Sequence, residues 1–184
     1  MRIFGSLILL SSIAVSACAH DPRSAAPSLA SASDISAPAP APISASEVTV
    51  ENLLRWPLEG PTGLAKVDAG LHQVLQMKPL HAQQFIGRGP VRLADGNVLS
   101  FAWLQRLSGS VSIGLAQEPC VLPGHAKELI SAAQSPVIRD MHGMDIGKTY
   151  STKRNGMLAS FTTTPETYRC VTSIQIHSTG KFNP

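Results

Sequence analysis

The run Val91-Arg92-Leu93-Ala94-Asp95-Gly96-Asn97-Val98-Leu99-Ser100-Phe101-Ala102-Trp103-Leu104-Gln105-Arg106-Leu107 decides the fold class. Asp-Gly between two apolar runs is a strong hairpin signal, because the tight turn needs residues that tolerate positive φ. In the second run Leu99, Phe101, Trp103, Gln105 and Leu107 alternate onto one face, and Ala102 and Leu104 onto the other. Both faces read as apolar, which predicts a central strand covered on two sides. Ser108-Gly109 then turns the chain into a third strand over 110–116, where Val111, Ile113 and Leu115 alternate with small residues.

Working outward, the chain before the hairpin is helical. Thr49 caps a short helix that runs to Trp56 and ends at Pro57. Leu64, Val67, Leu71, Val74 and Leu75 recur at helical spacing, with Thr62 as the cap, Gly70 as a weak point and Pro79 beyond the end. His81 falls in a loop after Pro79. Beyond the third strand, Pro119 and Pro123 break the chain around Cys120. Ala126, Leu129, Ile130 and Ala133 then mark a short amphipathic helix. The remainder is extended: a strand over 148–153, a turn at Arg154-Asn155-Gly156, a strand from Met157 and a turn at Pro165-Glu166. In a last strand, Tyr168, Cys170, Thr172, Ile174 and Ile176 share one face. The expected fold is α+β, an antiparallel β-meander with one or two N-terminal helices and one crossing helix.

The N-terminus carries an address. Met1-Arg2 precedes an apolar run to Val15, then Val15-Ser16-Ala17-Cys18. A basic start, a short apolar stretch and small residues make a secretory signal, too short and too interrupted for a transmembrane helix. Small residues followed at once by cysteine resemble the lipobox of bacterial lipoproteins. That resemblance implies that Cys18 becomes the acylated N-terminus. With Ala19 rather than Asp after it, sorting is to the outer membrane, the folded part facing the periplasm. It implies nothing about activity. Two or more acyl chains anchor firmly, at ~0.8 kcal/mol per buried methylene. The organisation read from the chain is a signal over 1–17, a lipidated, Ala/Pro/Ser-rich tether over 18–48, and one folded domain over 49–184. Fully extended in polyproline II form, the tether spans on the order of 90 Å.

Composition bounds the partners. The chain has 15 Lys+Arg against 12 Asp+Glu, a formal charge of +3. Its basic residues are scattered, which argues against nucleic acid, whose readers cluster cations on one face. Of three cysteines, Cys120 and Cys170 remain once Cys18 is set aside. Two distant thiols in an oxidising compartment pair most simply with each other, and their spacing fits neither a C-x-x-C redox site nor a zinc ribbon. Such a bridge contributes ~4 kcal/mol by the chain-entropy model.

Candidate chemistry is sparse. Asp140-Met141-His142-Gly143-Met144-Asp145 sets one imidazole between two carboxylates, the ingredients of a metal ligand set or a tuned base. Asp and Gly are also ordinary turn residues, and the turn is the favoured reading. No nucleophile elbow, P-loop, dinucleotide loop or H-E-x-x-H occurs, and nothing calls for a cofactor or a metal. The loops over 118–125, which contains His125, and 139–148, which contains Asp140, His142 and Asp145, are the binding candidates. Trp56 either pins the first helix to the core or stays exposed as a contact. The expected function is non-catalytic binding of a protein partner in the envelope, most concretely inhibition of an envelope-acting enzyme or toxin in the manner of an immunity protein. The runner-up is an accessory lipoprotein of an envelope machine. An enzyme using Asp140, His142 and Asp145 comes third.

Overall fold

Thr49 begins the first helix as its sequence predicts: its Oγ1 accepts the Asn52 N–H at 3.1 Å. In the computed structural model, which describes residues 43–135, 144 and 146–180, this helix is α1 (Val50–Arg55). Pro57 does not stop the chain there. It sits inside a 3-10 turn, Trp56–Glu59, because proline is tolerated in the first turn of a new helical segment. The longer helix α2 (Pro61–Leu75) follows. Its cap is Gly60 at φ 89° with Pro61 at the first position, not Thr62, since the reversal from the 3-10 turn demands a positive φ. Trp56 is only 8 % exposed, so of its two possible roles it takes the structural one.

Among the described residues eight strands follow: β1 (Lys78–His81), β2 (Gln84–Arg92), β3 (Val98–Gln105), β4 (Ser110–Leu115), β5 (Ala133–Gln134), β6 (Thr149–Arg154), β7 (Met157–Thr163) and β8 (Val171–Ser178). Helix α3 (Pro123–Ile130) lies between β4 and β5. The strands make one sheet in the order β1-β2-β3-β4-β8-β7-β6-β5, antiparallel throughout. Two meanders thus join where β4 meets β8, and the passage through α3 carries the chain from the middle of the sheet to its far edge. The α+β antiparallel fold with a crossing helix is the one the sequence implies. His81 belongs to the edge strand β1 rather than to a loop, and Ala133 to β5 rather than to the helix.

One face of the sheet packs on the helices. Leu99, Ala102, Leu104, Val111, Ile113, Phe161, Ile174 and Ile176 join Leu53, Leu64, Val67 and Leu71 in a single buried core. Val48 is fully buried in the same core, and Ser44 caps the turn Ala45–Glu47. The packed part of the chain therefore includes 43–48, a stretch whose composition alone resembles the tether.

Two bulges correct the expected strand faces. A register shift between Leu99 and Phe101 turns Leu99 to the core side with Ala102 and Leu104. Phe101, 41 % exposed, and the half-buried Trp103 are left on the opposite face. β3 therefore keeps its fully buried side chains on one face rather than two. A second shift between Thr162 and Thr163 puts Val171, not Cys170, in the core. Cys170 precedes β8 near the surface, where it is bonded to Cys120 across a Cα–Cα distance of 5.2 Å.

Candidate functional site

The bridge orders the surface around it. Cys120 and Cys170, 50 residues apart, tie the segment before α3 to the start of β8. A backbone bond from the Val171 N–H to the Val121 carbonyl at 2.9 Å runs alongside. Together they fix a ridge over 118–122. Leu122 stands on it as the residue that opens α3, 62 % exposed.

A cleft lies on each side of this ridge. The larger, about 560 Å³, is bounded by α1, α3 and the β2–β3 turn, within the size range of ligand pockets. Val50, Leu54, Val121 and Ala126 form its apolar floor, and Glu51, Asp95, Asn97 and His125 its polar rim. The smaller, about 460 Å³, is lined by Gln117, Glu118, Thr164, Thr167 and Arg169. Cys120 and Leu122 line both.

Each rim group has a reason to be where it is. Asp95 Oδ1 accepts the Asn97 N–H at 3.1 Å, which holds the hairpin turn, and its Oδ2 accepts the Val50 N–H at 2.7 Å. One carboxylate thus fastens the turn to the first turn of α1, where the helix dipole favours negative charge. His125 Nε2 lies 2.8 Å from Glu51 Oε1, both side chains half exposed, and so links α3 to α1. Among the described residues, the hydroxyl on the lining is that of Thr49, which caps α1. The sulfur on the lining is in the bridge. The larger cleft therefore pairs an imidazole with a carboxylate on its rim, above an apolar floor.

The sequence reading singled out 118–125, and the structure puts that segment on the ridge and the cleft wall with His125. Glu51 and Asp95 reach the rim through pairings 74 and 45 residues apart, which sequence spacing does not display, and Asn97 follows Asp95 in the hairpin turn. Asp140, His142 and Asp145 lie outside the described residues. Ile146, at the end of the other candidate loop, is exposed. Among the described residues, no three His, Cys, Asp or Glu side chains gather as a metal would need. No known protein family, curated protein or solved structure matches this chain.

A second polar cluster is structural. Asp68 on α2 takes two bonds from Arg106, from Nε at 2.8 Å and Nη2 at 3.2 Å. The guanidinium lies over the Phe85 ring at 4.4 Å, and His72 meets the same ring edge-on and the same carboxylate at 2.7 Å. The bond to Asp68 holds the Arg106 proton more firmly than usual, against the opposing effect of burial. This group staples α2 to the end of β3.

Proposed function

We propose that this chain is an outer-membrane lipoprotein, anchored through Cys18, whose folded part binds a protein in the envelope and blocks an enzyme or toxin there. The observation that carries the binding reading is the ridge over 118–122. An apolar side chain standing free between two clefts, on a backbone already pinned by a covalent bridge, has the form of an interface anchor. Anchors of this kind dominate binding energy, and pre-organisation lowers the ordering cost of association. The clefts receive the partner's own protrusions on either side. The polar rim of Glu51, Asp95 and His125 gives orientation, and inhibition follows by occlusion without any reactive group. The lipobox-like start supports the address, and the Ala/Pro/Ser-rich segment supplies the reach.

The test is a capture with the full chain against the envelope and secreted proteins of the native cell, followed by assay of what is held. The reading predicts one hydrolase-like or toxin-like partner whose activity falls to zero at one molar equivalent. A set of subunits from one envelope assembly, with no activity suppressed, would replace inhibition by an accessory role.

A further inference from the structure

The face of the sheet turned away from the core carries its own chemistry. Across the register, Ile86, Trp103, Ser112, Gln175 and Ser160 form one row over five strands. Phe101, Gly114, Ser173 and Thr162 form the next. Ile86, Phe101 and Trp103 have no part in the hydrophobic core. A Cβ on Gly114 would fall onto Cδ1 and Cε1 of Phe101, so the ring is laid across β4, over a position that only glycine leaves open. The outward positions of β3, β4, β8 and β7 are mostly aromatic, hydroxyl, amide or imidazole, with Val98, Gly114 and Leu158 the exceptions and no Lys, Arg, Asp or Glu among them; Ser160, at the end of its row, is buried and bonded to the Gln175 carbonyl. None of the eight described strands contains Asp or Glu at all. The cations lie on the flanks: Arg88 beside Phe101, Lys78 beside Ile86, and Lys153 two strands beyond β8.

An exposed sheet face is ordinarily dressed with ions of both signs. A neutral centre with laid-down aromatic surface and rows of hydroxyl and amide groups matches a different solute. Sugar rings offer an apolar C–H face to stack on an aromatic ring and a rim of hydroxyl and acetamido groups for Ser, Thr and Gln to bond. We propose that this face binds a glycan strand of the cell wall, an uncharged chain of N-acetylated sugars. Its carboxylate-bearing substituents fall on Arg88, Lys78 and Lys153. The choice of cell wall over other glycans rests on the envelope address proposed above; the stacking surface does not.

The test uses the full chain in detergent with purified components, so an error in the address leaves its result unchanged. Isolated cell-wall sacculi are sedimented with the protein, and a soluble hexamer of β-1,4-linked N-acetylglucosamine is titrated while tryptophan fluorescence is followed. The chain is expected to sediment saturably and to change fluorescence with the hexamer. Phe101→Ser is expected to weaken both about tenfold. Ser173→Glu, which leaves the aromatic pair intact and puts a carboxylate on the neutral face, is expected to weaken both with unchanged melting. Failure to sediment, or equal sedimentation of a folded Ser173→Glu variant, would overturn the proposal. So would equal affinity for a single-stranded dT oligonucleotide, or a wild-type dimer that either substitution splits.

Discussion

Leu122 exposes an apolar side chain where α3 begins, and the bridge behind it fixes where that side chain stands. Leu122→Ala is expected to change the melting temperature little, since the side chain is mostly exposed. It should weaken the partner complex by about 2 kcal/mol, roughly thirtyfold, read by titration of the captured partner. Cys120→Ser or Cys170→Ser should each cost about 2–4 kcal/mol in urea unfolding; equal stability of reduced and oxidised protein would remove the bridge from the account. Asp95→Ala loses the bonds to both Val50 and Asn97 and should cost about 1–2 kcal/mol, seen as a lower denaturation midpoint at unchanged slope. The bridge was legible because counting thiols needs no geometry. Asp95 was legible only as a turn residue, because its second bond is made to a helix that begins 45 residues earlier.

At the scale of the element, two glycines separate close packing from open space. A Cβ on Gly63 of α2 would fall onto the carbonyl of Trp56, a backbone group that cannot swing aside. A Cβ on Gly124 of α3 meets nothing within 4 Å. Gly63→Ala should therefore destabilise by about 3 kcal/mol or more, while Gly124→Ala should stabilise by roughly 0.5–1 kcal/mol; thermal melts of the two variants check both signs. Periodicity revealed α2, α3, the hairpin and the later strands, because each depends on local spacing. It misjudged the faces of β3 and the residues ahead of β8. A bulge shifts the alternation by one position, and strand sequence carries no mark of where the partner strand inserts it. Trp103 was placed with Leu99 for this reason, and the exposed aromatic face was hidden from sequence alone.

The molecule as a whole is two meanders closed by the β4–β8 pair, a joint between residues too far apart in sequence for alternation to reveal. That joint and the bridge bring the start of β8 beside the ridge, and so build the smaller cleft from segments that look unrelated in the chain. The α+β class followed from the sequence because strand alternation and helical spacing report class directly. The site did not, because it is made of contacts between elements. The ridge over 118–122 is the proposed landing point of the partner. Hydrogen exchange of the full chain, with and without the captured partner, tests this directly. Slowed exchange confined to the ridge, α3 and the rim around Asp95 is the expected result. Protection elsewhere, with the ridge exchanging as fast as in the free protein, would contradict it.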